Sequence, residues 1–166
     1  AALVHPDGVY EAAVALQTGD ERYRIRVEYA SGNTHEYHDP YQFAPLLTEF
    51  DLHLLSEGTH NDAYEKLGAH TITIDDVSGV HFAVWSPNAS RVSVVGDFNQ
   101  WNGLRHPLQN RGSCGIWELF IPDIEPGIRY KFEIKSRHSG ALFLKGDPFA
   151  FQSELRPRTA SVVCDL

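Results

Sequence analysis

Arg129-Tyr130-Lys131-Phe132-Glu133-Ile134 alternates charged and apolar side chains without a break. Successive side chains of a strand point to opposite faces, so the run is predicted to bury Tyr130, Phe132 and Ile134 and to turn Arg129, Lys131 and Glu133 outward. This is the pattern of an antiparallel strand with one face on a core and one in water. Phe82 and Val84 alternate with His81, Ala83 and Trp85, and Val92 and Val94 alternate with Arg91, Ser93 and Val95. Turn chemistry separates such runs at Ser86-Pro87-Asn88, Asn102-Gly103, Arg111-Gly112, Glu125-Pro126-Gly127 and Ser139-Gly140. Short strands with closely spaced turns predict an all-β, antiparallel sandwich.

The sequence also repeats itself. Gly8-Val9-Tyr10-Glu11 resembles Gly115-Ile116-Trp117-Glu118, 107 positions on (8 to 115). At the same offset Arg22-Tyr23-Arg24-Ile25-Arg26-Val27 matches Arg129 to Ile134. One position of slippage later, Asp39-Pro40-Tyr41-Gln42-Phe43 matches Asp147-Pro148-Phe149-Ala150-Phe151. Three matched blocks in order indicate two related units of about a hundred residues each. The second copy has its front half in the chain and the first does not. Residues 1–45 are therefore expected to be the C-terminal half of a truncated sandwich, with an uncovered sheet face and little stability alone. The lack of methionine fits a chain cut from something longer. Between the copies, Leu46, Leu47, Phe50 and Leu54 recur at helical spacing and Gly58 ends the pattern. Asn61 is placed to cap a second short turn that Gly68 stops. Residues 46–70 are thus expected to be a packed helical connector, and residues 71–166 a complete sandwich.

Composition narrows the function. The chain has 166 residues, 42% apolar and 22% charged, as ordinary globular domains do. The formal net charge is −8, with the basic residues dispersed, which argues against nucleic acid. No stretch reaches the roughly 20 apolar residues of a membrane-spanning helix, and His5 and Asp7 interrupt the start that a signal peptide would need. Cys114 and Cys164 stand far apart, without CxxC spacing, and fit a reducing cytoplasm better than a disulfide scaffold.

No reactive constellation emerges. His35 and His38 are three apart without further ligands at zinc spacing, and His53, His60 and His70 are spread along the connector. No metal or cofactor is expected. No serine sits in a GxSxG context and no Gly-rich phosphate loop is present. Asp75, Asp76 and Asp97 lie in turns, with no cleft to pair them as glycosidases pair carboxylates. What remains is aromatic. Trp101 falls just past a strand end, after Gly96-Asp97-Phe98-Asn99-Gln100, where an indole has two readings. It either offers a flat apolar face to a sugar ring or folds back as a lid over the core. Lys131 is its candidate helper, on the face opposite Tyr130 and Phe132. Trp85 and Trp117 read as core or interface residues.

Phe82-Ala83-Val84-Trp85-Ser86-Pro87-Asn88-Ala89, followed by Arg91-Val92-Ser93-Val94-Val95-Gly96-Asp97-Phe98-Asn99-Gln100-Trp101-Asn102-Gly103, resembles the family-48 carbohydrate-binding module. Gly115 to Pro122, Tyr130-Lys131-Phe132 and Lys145 to Phe151 continue the likeness. Leu54 to His60, Tyr64 to His70 and Arg156 to Ser161 are similar to bacterial glycogen branching enzymes, which carry an extra module-like domain ahead of the module. The resemblance implies an immunoglobulin-like sandwich. It also implies a parent enzyme that cuts α-1,4-glucan and rejoins it through α-1,6 bonds by retaining transglycosylation on a family-13 barrel absent from this chain. No catalytic residue carries over, and the fragment is expected to be inactive. Trp101 fills the position of the sugar-stacking tryptophan and Lys131 that of a binding lysine. Leu144, with Phe143 beside it, stands where a second aromatic is usual, and Ser161 where an asparagine is. One aromatic platform instead of two implies weak binding, each stacking contact contributing on the order of 1 kcal/mol. The implied partners are α-1,4-glucan or glycogen and the enzyme's own barrel. The alternative is a structural scaffold, with Trp85, Phe50 and Leu54 at an interdomain interface and little glucan affinity. An independent regulatory glycogen-binding subunit is disfavoured by the repeat and the connector.

Overall fold

The computed structural model describes residues 1–6, 9–13 and 23–165. They fall into two compact units, Ala1–Glu36 and Tyr37–Leu166. In the first, β1 (Ala2–His5) pairs antiparallel with β2 (Val9–Glu11), Ala2 opposite Glu11 and Leu3 opposite Tyr10. A second ribbon pairs β3 (Arg24–Glu28) with β4 (Thr34–His38). Position by position, this unit repeats the pattern of the second without its burial. Tyr23 is 49% exposed where its counterpart Tyr130 is fully buried, and Ile25 is half-buried where Phe132 is buried. Leu3, Val4, Val9 and Tyr10 are each more than half exposed. The third repeat block folds alike in both copies: Asp39 Oδ1 accepts the Tyr41 N–H (2.9 Å), and Asp147 Oδ1 accepts the Phe149 N–H (2.8 Å). Gly8 and Arg22, at the heads of the other two blocks, lie outside the described residues.

The second unit is an antiparallel sandwich. One sheet runs β5 (Gly68–Ile74), β6 (Val77–Trp85), β9 (Ile116–Pro122) and β8 (Gln109–Asn110). The other centres on β10 (Arg129–Ser136), flanked on one side by β7 (Ala89–Gly96). Strand β10 also pairs directly with β11 (Leu142–Lys145) along Phe132–Lys135 and with β13 (Ser161–Val162) at Arg129 and Tyr130, and β13 pairs in turn with β12 (Gln152–Ser153). The alternation read from the sequence holds in β10: Tyr130 and Phe132 are buried and Ile134 packs against the same core. Facing them across the sandwich are Val80, Phe82 and Val84 of β6 and Trp117, Leu119 and Ile121 of β9, with Val92 and Val94 alongside from β7.

Strands β6 and β9 are buried on both faces, which simple alternation does not predict. Their outer face is covered by residues 43–67. Phe43 packs edge-on against Phe120, with ring centroids 4.8 Å apart, and Leu47, Leu52 and Leu67 cover Ala83 and Ile116. The expected helix forms over Glu49–Glu57 (α1) and ends at Gly58, whose φ of 71° is the left-handed cap geometry glycine favours. Leu46 and Leu47 lie before α1 rather than in it. Thr48 caps the helix through a reciprocal box in which its Oγ1 accepts the Asp51 N–H (3.1 Å) and Asp51 Oδ2 accepts the Thr48 N–H (3.0 Å). The second turn is a 3₁₀ segment, Ala63–Glu65, preceded by Asp62 with no side-chain cap; Asn61 does not fill that position.

Beneath this cover lies a buried carboxylate. Glu118 Oε2 accepts the N–H groups of Leu46 (2.8 Å) and Leu47 (3.1 Å) and contacts His81 Nε2 (2.8 Å), while Oε1 pairs with Arg111. Burial alone would raise its pKa. The His81 hydrogen bond and charge and the two backbone donors outweigh that and hold the carboxyl below the usual range.

Candidate functional site

The outward residues of β10 (Arg129, Lys131, Glu133 and Lys135) floor a polar face of the second sheet. Register extends it: Leu144 and Leu142 of β11 stand opposite Glu133 and Lys135, and Arg91 of β7 pairs with Glu133. Across this face folds the loop after β7. A 3₁₀ turn, Asp97–Asn99, is followed by Gln100 and Trp101, both at φ 58°. Such left-handed geometry at two non-glycine residues costs on the order of 1 kcal/mol each and persists only where other contacts impose it. Here the Trp101 N–H donates to the Gly96 carbonyl (3.0 Å) and the Asn102 N–H to the Asn99 carbonyl (3.2 Å). Gly103 then passes so close to Glu133 that a Cβ there would overlap its carboxylate.

Asn99 is the loop's buried pin. Its Oδ1 accepts the Gly96 N–H (2.9 Å), and its Nδ2 donates to the Val94 carbonyl (2.9 Å) and to His106 Nδ1 (2.9 Å). That last bond requires a neutral imidazole. Burial, with the Arg105 charge as a lesser cause, lowers the His106 pKa to about 4. The folded form therefore prefers uncharged His106. Its contribution is complete above the ordinary histidine pKa and is lost as pH falls from about 6.5 towards 4. Because His106 is partly open to solvent, the loss should be about 1–2 kcal/mol. Urea midpoints measured at pH 7, 6 and 5 should fall more steeply for the natural chain than for His106→Gln. Parallel slopes would show that the bond to Asn99 does not discriminate between protonation states.

The structure brings together three of the residues anticipated from sequence. Trp101 is 38% exposed and its Nε1 donates to Asp97 Oδ1 (3.1 Å). Lys131 is half-buried, its Nζ donating to Thr159 Oγ1 (2.7 Å), and Leu144 is exposed on the same face. Ser161 stands apart. It pairs with Tyr130 in the ladder, so its side chain turns inward; it is 2% exposed and its Oγ accepts the Asp147 N–H (2.8 Å). Around it, Tyr130 donates its hydroxyl to Asp147 Oδ2 (2.6 Å), and burial raises the pKa of both groups. Trp117 lies in the core, its Nε1 donating to the Ser86 carbonyl (3.0 Å). Trp85, Phe50 and Leu54 lie elsewhere: Trp85 is exposed with Nε1 on the Cys114 carbonyl (3.1 Å), Phe50 is exposed, and Leu54 is half-buried. Sequence reading presents Asp97 only as a turn carboxylate. Its spacing of four from Trp101 is the signal that could have marked it. Among the described residues, no group of three or more His, Cys, Asp or Glu side chains is placed to hold a metal, and no helix is long and apolar enough to cross a membrane.

Residues 66–150 match the family Carbohydrate-binding module 48 (Isoamylase N-terminal domain). The chain belongs to that family. This family-48 module is similar along nearly its whole length to 1,4-alpha-glucan branching enzymes. It is 50% identical to that of Methylococcus capsulatus over 93% of the chain and 21% of the enzyme. It is 52% identical to that of Bradyrhizobium diazoefficiens over 98% of the chain and 22% of the enzyme. The chain thus spans about a fifth of the length of the curated relatives it matches. The crystal structure of Klebsiella pneumoniae pullulanase complexed with maltotriose matches 66% of this chain and 11% of its own, at a TM-score of 0.48 and 24% identity. The branching-enzyme likeness and the antiparallel sandwich agree with the family and the fold expected from the sequence.

Proposed function

We propose that the module binds α-1,4-glucan, as in glycogen, on the outer face of β7, β10 and β11. Trp101 is the stacking platform, Lys131 a hydroxyl partner and Leu144 an aliphatic flank. The observation that carries this reading is the half-exposed indole of Trp101. Its N–H is held by Asp97, which also binds Arg129 of the polar sheet face that carries Lys131, where a lid over the core would have been buried. An indole so placed offers an apolar face to the C–H face of a sugar ring.

In this reading the chain is the non-catalytic amino-terminal part of a cytoplasmic branching enzyme. It positions donor or acceptor chains for a family-13 barrel that makes α-1,6 branches by retaining transglycosylation, and it has no activity alone. The free thiols of Cys114 and Cys164 support a reducing compartment. Residues 1–45 are proposed as the rear half of a preceding module-like domain, 46–70 as the connector and 71–166 as the module. The exposed apolar side chains of β1 and β2 support the first of these.

The test is affinity electrophoresis in gels containing glycogen. The natural chain should be retarded, and Trp101→Ala should lose retardation, its dissociation constant rising about fivefold to tenfold for a stacking contact of 1–1.5 kcal/mol. Equal, unretarded mobility of both would favour the scaffold reading. That second reading has its own observation. Trp85 borders an open apolar groove of about 210 Å³ lined by Leu55, Leu67, Ile116 and Phe149, a surface suited to a neighbouring domain such as the barrel.

A further inference from the structure

Asp97 and Arg129 lie in one hydrogen-bonded chain that ends on Trp101. Asp97 uses both carboxylate oxygens: Oδ1 accepts the Trp101 indole N–H (3.1 Å) and Oδ2 accepts Arg129 Nε (2.8 Å). Arg129 reaches on through Nη1 to Glu154 Oε1 (3.3 Å), and Glu154 Oε2 accepts the Ala160 N–H (3.2 Å). The Glu154 N–H in turn donates to the Ala160 carbonyl (2.9 Å), closing the turn that carries Thr159, the partner of Lys131. One guanidinium thus joins the loop bearing the aromatic platform to the loop bearing the lysine's partner. Neither Trp101, at φ 58° in an exposed loop, nor Lys131, on a flexible four-carbon stem, would hold its direction without such ties.

We propose that Asp97 and Arg129 are positioning residues for glucan, fixing the Trp101 ring and the Thr159 turn in one arrangement before the sugar arrives. This rests on the reading of Trp101 as the platform and extends it from the touching residues to those behind them. The benefit is preorganisation: a ring already directed loses less rotamer freedom on binding than a free one. The pair itself is open to solvent, so its contribution to stability should be small. Its effect should appear in binding, and for Asp97 through the indole N–H, since Arg129 without Asp97 keeps its own bond to Glu154 behind the Thr159 turn.

That dependence on the indole N–H gives the test. Maltoheptaose affinity is measured for the natural chain, Asp97→Ala, Trp101→Phe and the double variant, with urea midpoints for each. Asp97→Ala should raise the dissociation constant about threefold to tenfold, the range of one hydrogen bond's net contribution, with an unchanged midpoint. Phenylalanine keeps a stacking face but has no N–H, so adding Asp97→Ala to Trp101→Phe should change affinity less than twofold. In the ¹H–¹⁵N spectrum the indole resonance absent from Trp101→Phe should move in Asp97→Ala, and less far in Arg129→Met. A loss of affinity equally large in both backgrounds would overturn the inference, since Asp97 would then touch the sugar itself or merely support the loop. So would unchanged affinity in Asp97→Ala. If Trp101→Ala, titrated alongside, binds maltoheptaose as the natural chain does, the platform reading fails instead, an outcome distinct from the others.

Discussion

Glu118→Ala should lower the stability of the second unit by about 3–5 kcal/mol, the range for breaking a buried ion pair from one side. The change strands every partner at once. Arg111 would keep only the Leu47 carbonyl (2.9 Å) and a long contact to Glu49 (3.4 Å), and His81 and the Leu46 and Leu47 N–H groups would lose their acceptor. Each buried donor left unpaired costs about 1–3 kcal/mol. Against a total of roughly 5–15 kcal/mol for an ordinary domain, that is a large fraction. Glu118→Gln, which keeps an acceptor oxygen but not the charge, should fall between. The pH dependence has a definite sign. The folded-state carboxyl titrates below its ordinary pKa, so the cluster's contribution is complete above that value and is lost as pH falls through the lowered one. Urea unfolding of the three forms at neutral pH is the measurement. A loss under 1 kcal/mol for the alanine form would mean that the residues covering the outer face of β9 open to water readily.

Glu118 also marks where the sequence stops being legible. The run Ile116-Trp117-Glu118-Leu119-Phe120-Ile121 is apolar in both registers around one carboxylate. A strand buried on both faces leaves an ionised side chain nowhere to go but to partners. Those partners come from Arg111, His81 and two backbone groups, separated in sequence by as much as 72 positions, and nothing local announces them. The opposite case is β10, where six alternating residues suffice to orient a strand and place Lys131 outward. The helix lies between. Its end at Gly58 was readable, but its start was set by the Thr48–Asp51 box, a spacing that apolar periodicity overlooks. The inward direction of Ser161 is hidden from sequence for a related reason. Strand β13 has only two residues, too few to show a period, so only its pairing with Tyr130 reveals that the serine points inward. Trp101 was legible as an aromatic in a turn. The carboxylate that accepts its indole N–H stands four residues before it, but that carboxylate's second partner, Arg129, lies 32 positions further on than Asp97.

Gly96→Ala should disturb fold and site together, and by more than any change confined to the loop. Gly96 sits opposite Tyr130 where β7 meets β10, in extended geometry that alanine also adopts, so backbone freedom is not the reason for glycine here. Space is. An added Cβ would lie 2.3 Å from the Arg129 carbonyl oxygen and 2.7 Å from the Phe98 ring, with a strand on one side and a core aromatic on the other. Neither yields cheaply, and overpacking of this kind costs about 1–3 kcal/mol and at times more; two rigid neighbours put the expectation at about 3 kcal/mol. The Gly96 backbone also holds the platform loop, through its carbonyl to the Trp101 N–H and its N–H to Asn99. Any shift of β7 that relieves the clash therefore moves Trp101. Glycogen retardation should fall to the level of Trp101→Ala even at a temperature where the variant is fully folded by urea titration. If stability falls by that amount while retardation persists, the loop keeps its place without the β7 backbone, and the Asp97–Arg129 tie alone directs the indole. If both survive, the two strands separate more easily than a fully buried Tyr130 across the ladder would allow.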